Sequence, residues 1–116
     1  FYINNIKITP IRVMHHQLPV LGYRIGNLSY ITDANYISYD EKQKLIGSEV
    51  LIINSLQKEK HISHYNLQES LNIIEEIQPN RAYLTHIGHG MGLHDVVQEE
   101  LPKNVFLAYD NLQIKL

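Results

Sequence analysis

The feature that most restricts the fold of this chain is a continuous apolar run, Val50-Leu51-Ile52-Ile53-Asn54. A run of strand length without polar alternation is typical of a strand that is buried on both faces, as in a parallel sheet. Parallel strands need long crossover connections, which are usually helices. We therefore expect helices to follow the run.

The residues after the run predict alternating helices and strands. Asn66 with Glu69 three positions later is a helix-capping pattern, and apolar residues recur at helical spacing until Pro79. Residues 81–85 predict a second strand, 93–101 a second amphipathic helix, and 105–109 a third strand. Residues 50–116 thus predict a β-α-β-α-β unit.

The residues before the run predict mostly strands. We expect two short strands in residues 1–14 with a break at Pro10, then a hairpin formed by 20–25 and 28–32 around Gly26-Asn27. Residues 39–45 predict a loop or a short helix. No repeat or linker separates the two parts, so residues 1–116 are predicted to form a single α/β domain, β-rich first and then β-α-β-α-β.

Composition excludes several functional classes. The net charge of −2 argues against general nucleic-acid binding, and no apolar run is long enough to span a membrane. The absence of Cys removes disulfides, thiolate metal sites and Cys nucleophiles, and leaves the cytoplasm as the default compartment. Because the chain starts at Phe1 within a strand pattern and without an initiator Met, we expect it to be a fragment.

The chain contains seven histidines, an unusually high number for its length. Several residues able to bind metal follow predicted strands. His15, Asp33 and His86 each stand at the end of a strand, where α/β sheets usually build their sites. Two imidazoles and one carboxylate suit Zn²⁺, Mn²⁺ or Fe²⁺, and such a metal activates water for hydrolysis. The three residues therefore predict a metal site.

Each of these residues also has a plainer interpretation. Asp33 before Ala-Asn is typical of a turn or a helix cap, and His86 could be a structural histidine. His15 and His16 are adjacent on an extended segment and face opposite ways, so we expect only one of them, His15, to enter the site.

The remaining histidines are less decisive. His64, just before the capped helix, could donate a proton to a leaving group or lie at a solvated helix entrance. His61 and His89 are assigned to positions that support the ligands, and His94 is expected to be exposed on a helix. Gly88, Gly90 and Gly92 match no phosphate-binding fingerprint, and no serine-hydrolase elbow is present.

Taken together, several segments of the sequence resemble one family. They are Ile11-Arg12-Val13-Met14-His15, 18–25, Tyr30-Ile31-Thr32-Asp33-Ala34, His61-Ile62-Ser63-His64, 83–89 and Leu107-Ala108-Tyr109-Asp110. They resemble the C-terminal half of a metallo-β-lactamase-fold hydrolase, in the branch of the phosphonate-pathway cyclic phosphodiesterase and, more distantly, tRNase Z. The resemblance implies half of an αββα sandwich.

The resemblance also implies roles for individual residues. His15, Asp33 and His86 would bind metal, with Asp33 bridging two ions, and His64 would protonate the leaving group. The cofactor would be Zn or Mn, dinuclear in the complete protein, and a hydroxide bridging the metals would attack a small phosphodiester.

One departure from the family pattern limits this prediction. The His-x-His-x-Asp-His motif, which supplies four further ligands, is absent from the sequence. We therefore expect these 116 residues alone to be almost inactive. The alternatives are the same fold acting on a lactone, thioester or amide, or a non-catalytic fragment that self-associates through an exposed sheet.

Overall fold

The computed structural model describes residues 1–116 and contains seven strands and three helices. The strands are β1 (Tyr2–Ile3), β2 (Ile6–His15), β3 (Leu18–Ile25), β4 (Leu28–Ile31), β5 (Val50–Asn54), β6 (Arg81–Thr85) and β7 (Val105–Leu107). The helices are α1 (Tyr39–Gln43), α2 (Leu67–Ile77) and α3 (His94–Glu100), and a short 3₁₀ turn covers His89–Met91.

All seven strands form one mixed sheet whose order follows the sequence. Strands β1 to β4 pair antiparallel, whereas β4, β5, β6 and β7 pair parallel. One helix lies in each parallel connection, as crossovers require. The predicted β-rich part followed by β-α-β-α-β is confirmed.

The strongest local patterns produced the expected elements. The β3–β4 hairpin turns at Gly26-Asn27, and α2 begins with the predicted capping box, in which the Asn66 side chain accepts from Glu69 N and Glu69 accepts from Asn66 N. The short helix α1 is also present. Strand β7 ends at Leu107, two residues earlier than predicted.

The predicted break at Pro10 is wrong, because β2 runs through it without interruption. Strand β1 pairs only with Ile6 and Lys7, and the next bridge on that side is at Met14, so β2 is an edge strand around Pro10. Pro10 lies opposite Tyr23 of β3, and on an edge strand its missing N–H leaves no partner unsatisfied.

The hydrophobic core lies between one face of the sheet and the helices. Alternate residues of β2, β5 and β6 are fully buried against apolar residues of α2 and α3. This core cluster includes Ile11, Val13, Leu51, Ile53, Ala82, Leu84, Ile73, Ile74, Ile77 and Val97. Such burial fixes the sheet register, because a slip of one residue would turn the apolar side chains away from the helices.

The opposite side of the sheet carries a row of apolar and aromatic side chains, which we call the open face. Cross-strand register aligns Tyr23, Tyr30, Ile52, Tyr83 and Phe106 across five neighbouring strands. Tyr83 and Phe106 stack, with ring centroids 5.4 Å apart. Arg81 Nη2 donates to Lys115 O, and this hydrogen bond holds the C-terminal segment to the start of β6. No helix of the structure is long and apolar enough to cross a membrane.

Candidate metal centre

The candidate site lies at one edge of the sheet, where three strands end side by side. Strands β2, β4 and β6 run in the same direction, so their carboxyl ends share that edge. His15 is the last residue of β2, Asp33 follows β4, and His86 follows β6. The predicted convergence of these three residues is therefore present in the fold.

Asp33 lies at the centre of the site, on a turn of unusual backbone conformation. Its φ is +60°, in the left-handed region that Asp tolerates better than most residues. The next residue is held firmly, because buried Asn54 accepts from Ala34 N at 2.9 Å and donates to Ala34 O at 2.8 Å. Asn54 in turn is tied to α2, since Ser70 Oγ donates to Asn54 O.

His15 has a defined orientation that leaves one ring nitrogen available. Its Nδ1 donates to the carbonyl oxygen of Asp33 at 2.9 Å. A carbonyl can only accept, so the proton is on Nδ1 and Nε2 carries the lone pair. This tautomer is the one required of a metal ligand that binds through Nε2.

His64 lies between the other two imidazoles. Its ring centroid is 4.7 Å from that of His15 and 4.7 Å from that of His86, and its Nε2 lies 3.3 Å from Asp33 Oδ1. Its side chain is 12% exposed. Desolvation by burial lowers the pKa of His64 and outweighs the hydrogen bond to Asp33, which raises it, while His86 and His15 lower it further.

His86 approaches the same carboxylate oxygen, and its ring stacks on that of His64. Its Nε2 lies 3.5 Å from Asp33 Oδ1, and its side chain is 45% exposed. Like Asp33, it has a left-handed backbone, with φ of +57° directly after a buried strand. Strained non-glycine residues of this kind cluster at functional sites.

The donor set fits a divalent transition metal. Ligand atoms of His15, Asp33 and His64 all lie within 4.8 Å of one another, and His86 contacts the same carboxylate. Imidazole nitrogen with one carboxylate is chemistry that suits zinc and manganese. The geometry brings His64 as close to Asp33 as His86, so it allows either imidazole to be the third ligand.

The two histidines assigned to supporting positions have different surroundings. His61 lies next to His64, with ring centroids 5.3 Å apart, and Ser63 Oγ lies 3.3 Å from Nδ1 of both rings. His89 is exposed on the 3₁₀ turn and makes no side-chain hydrogen bond or ring contact with this cluster. His16, with φ of +57°, is exposed on the β2–β3 turn, and His94 is exposed at the start of α3.

Two asparagines that organise the site were not recognised from the sequence. Asn54 holds the turn after Asp33, as described above. Asn35 accepts from His16 N at 2.9 Å and donates to Ile62 O at 3.2 Å, so it joins the β2–β3 turn to the loop that carries His64. The one available signal was a polar residue, Asn54, at the end of an otherwise apolar strand.

Comparison with known sequences identifies similar proteins. Residues 1–87 match the family model described as a beta-lactamase superfamily domain. A curated octanoyltransferase of Porphyromonas gingivalis (strain ATCC BAA-308 / W83) is 32% identical over 114 residues, which are 97% of this chain and 23% of that protein. The chain thus spans about a quarter of that relative's length.

Comparison with solved structures gives similar folds over nearly the whole chain. A diphosphatase from the PhnP family has a TM-score of 0.95 and 29% identity, covering 100% of this chain and 46% of that one. The metallo-beta-lactamase fold protein YhfI from Bacillus subtilis has a TM-score of 0.76 and 21% identity, covering 93% and 48%. The short form of human tRNase Z has the same score and identity, covering 99% and 44%. The similarities to YhfI and tRNase Z concern the fold alone. This chain covers about half of each of the three solved chains.

Proposed function

Since the chain belongs to the beta-lactamase superfamily, we propose that it contributes the His15–Asp33–His86 part of the active site of a metal-dependent phosphodiesterase. The observation that carries the proposal is the convergence of three imidazoles on the single carboxylate of Asp33 at one sheet edge. Three histidines and one aspartate thus lie together at a partly exposed edge of the sheet, where the hydrophobic core does not require them. The complete activity belongs to the longer protein that includes this chain.

In this proposal His15, Asp33 and His86 hold the metal, which is Zn or Mn. A bound divalent metal supplies Lewis acidity and lowers the pKa of coordinated water to about 7. His15 offers Nε2, because its Nδ1 proton is committed to the Asp33 carbonyl. Asp33 offers its carboxylate, whose Oδ1 already lies within 3.5 Å of Nε2 of His64 and of His86.

We assign His64 the role of proton donor to the leaving oxygen. Its Nε2 points at Asp33 Oδ1, and since a carboxylate accepts, the Nε2 proton is directed into the cluster. Its Nδ1 faces Ser63 on the far side of the ring. Positioned acids of this kind contribute roughly 10²- to 10⁴-fold to rate.

A phosphorus ester is the favoured substrate class. The diphosphatase similarity extends over the whole chain and concerns a protein that cleaves a phosphorus–oxygen bond, and this also makes a diphosphate the second candidate substrate. The net charge of −2 disfavours a long polyanion, so the proposed substrate is small. The proposed compartment is the cytoplasm.

The experiment that tests the proposal separates metal binding from proton donation. In the full-length protein that includes this chain, His86→Ala should lose both metal, measured by elemental analysis, and hydrolysis of bis(p-nitrophenyl) phosphate. His64→Ala should retain metal while kcat falls roughly 10²-fold or more. His94→Ala, an exposed histidine on α3, is the matched control and should change neither.

Other outcomes would overturn parts of the proposal. Loss of metal in His64→Ala with retention in His86→Ala would make His64 the third ligand, which its distance from His15 and Asp33 also permits. Retained metal with hydrolysis of thioesters, lactones or amides only would overturn the phosphodiesterase assignment and keep the hydrolase.

A further inference from the structure

A cleft of about 480 Å³ opens beside the histidine cluster, which is formed by His15, His64 and His86 around Asp33. The proposed reaction assigns no role to this cleft. One wall is the β2–β3 turn and the other is the loop that precedes α2. Its lining residues are His15, His16, Gln17, Leu18, Ile62 and Ser63. The cleft shares His15 with the candidate metal centre, so a molecule bound at the centre can extend directly into it. The cleft is shallow and widely open to solvent.

The two walls of the cleft are tied together before any ligand binds. Asn35 accepts from His16 N in the first wall and donates to Ile62 O in the second. Asn35 N also donates to Met14 O at 2.8 Å, which fixes the asparagine to the end of β2. Asn35, itself anchored to the sheet, therefore links the two walls directly.

The chemistry of the lining restricts what the cleft can hold. It contains no Lys, Arg, Asp or Glu, and its polar side chains are those of His15, His16, Gln17 and Ser63. Leu18 in one wall and Ile62 in the other are 60% and 68% exposed, so both present apolar surface that no other part of the chain covers. Covering them with an apolar group is favourable, whereas bringing an unpaired charge between them costs free energy.

We propose that this cleft binds an uncharged, apolar ester group of the substrate while the phosphorus group lies at the histidine cluster. The inference rests on the proposed function and narrows it to phosphoesters with one neutral organic substituent, such as an aryl or alkyl group. Leu18 and Ile62 are the specificity-determining residues. Gln17 and Ser63 supply the polar rim of the cleft.

Binding of simple phosphonates tests the inference without any turnover. In the full-length protein, benzylphosphonate should bind about tenfold more tightly than methylphosphonate, because the phenyl ring adds apolar contact in the cleft. Methyl NMR signals of Leu18 and Ile62 should shift with benzylphosphonate only. Leu18→Ser and Ile62→Ser should each remove most of the tenfold preference, and 4-carboxybenzylphosphonate should lose it in the unmodified protein.

The control and the contrary outcomes distinguish this inference from the proposed function. Val96→Ser removes an exposed apolar side chain from α3, outside the cleft, and should keep the preference. Equal dissociation constants for the two phosphonates, or unshifted Leu18 and Ile62 methyls, would overturn the inference even if bis(p-nitrophenyl) phosphate is hydrolysed. A preference that depends on Leu18 and Ile62 supports the cleft assignment, and absence of hydrolysis would then count against the proposed reaction alone.

Discussion

Asp33 depends on one buried amide for its position in the candidate centre. Asn54 exchanges two hydrogen bonds with the backbone of Ala34, and both residues are fully buried. The left-handed turn at Asp33 is therefore held in place, because the N–H and the C=O of the next residue, Ala34, are both hydrogen-bonded. A site built in this way is rigid before a metal binds, which favours affinity.

We expect Asn54→Ala to destabilise the fold by about 2 kcal/mol, since the buried Ala34 N–H would lose its partner and the Ala34 C=O would keep only its bond from Tyr65 N. Urea unfolding of the variant and of the unmodified protein measures the difference. Asn72→Ala removes an exposed asparagine of α2 and should change the free energy of unfolding by less than about 0.5 kcal/mol. Equal losses in the two variants would show that the Asn54–Ala34 pairing is not the cause.

Asn35 is expected to act on metal affinity more than on stability. Replacing it with Ala frees the β2–β3 turn, which directly follows the proposed ligand His15, from the loop before α2, so His15 loses a support. Losses of supporting contacts around a metal site typically cost about 10- to 100-fold in affinity. Competition with a chelator measures the metal affinity. Asn35→Asp keeps the acceptor for His16 N, so its affinity should lie between those of the unmodified protein and Asn35→Ala. Unchanged affinity in Asn35→Ala would contradict the positioning role.

The ligand candidates were predictable at the residue scale, but their supports were not. His15, Asp33 and His86 follow strands, and strand ends that share an edge bring such residues together. Asn35 and Asn54 bind backbone groups that lie 19 to 27 residues away in the sequence, and no local pattern encodes such a bond. The proximity of His64 to both His15 and His86 also depended on how the loop before α2 bends.

Hydrophobic periodicity and capping residues predicted the longer helices and strands. The extent of the strands near the sheet edge depended on their neighbours in the fold. Helix α2 has both signals and forms as expected. Pro10 is a local strand breaker, yet β2 continues because an edge position removes the penalty. Local propensity could not show that β1 covers only the first residues of β2.

The short helix α1 is held to the sheet by a carboxylate whose ionisation matters. Glu41 Oε2 accepts from Arg12 N of β2 at 3.0 Å, and Lys44 Nζ donates to Oε1. Partial burial raises the pKa of Glu41, but the hydrogen bonds and charges of Lys44 and Arg12 outweigh it, so the pKa is lowered from its ordinary value. The ionised form is therefore favoured in the folded state.

This direction fixes how stability depends on pH. A carboxyl whose pKa is lower in the folded state adds stability above its unfolded pKa, and that stability is lost as pH falls through the folded pKa. We expect Glu41→Gln to lower the free energy of unfolding by about 1 kcal/mol at neutral pH, with the deficit shrinking below about pH 4. Urea unfolding at both pH values tests this, with Glu75→Gln on the exposed side of α2 as the control. A deficit that stays constant in acid would contradict the ionic origin.

At the scale of the whole molecule, the sheet separates two very different environments. The helices and the core cluster cover one side, while on the open face Tyr23 and Tyr30 are 38% and 43% exposed, Ile52 and Phe106 are half-buried and Tyr83 is buried. Contiguous apolar surface of this kind is unusual on a monomer and marks an interface. The structural relatives are about twice as long as this chain, which supports the expectation that the open face is covered in a larger protein.

The 116-residue chain alone should therefore self-associate through the open face. We expect the weight-average mass in sedimentation equilibrium to rise between about 10 and about 500 μM, because association buries the exposed part of the open face around Tyr23 and Tyr30. Tyr30→Lys places a charge in the middle of that row and should shift the chain toward monomer, since an unpaired charge resists burial. Tyr39→Lys changes a tyrosine on α1 that is 72% exposed and should leave association unaltered. A chain that stays monomeric throughout, or a Tyr39→Lys effect as large as that of Tyr30→Lys, would show that the open face does not drive association.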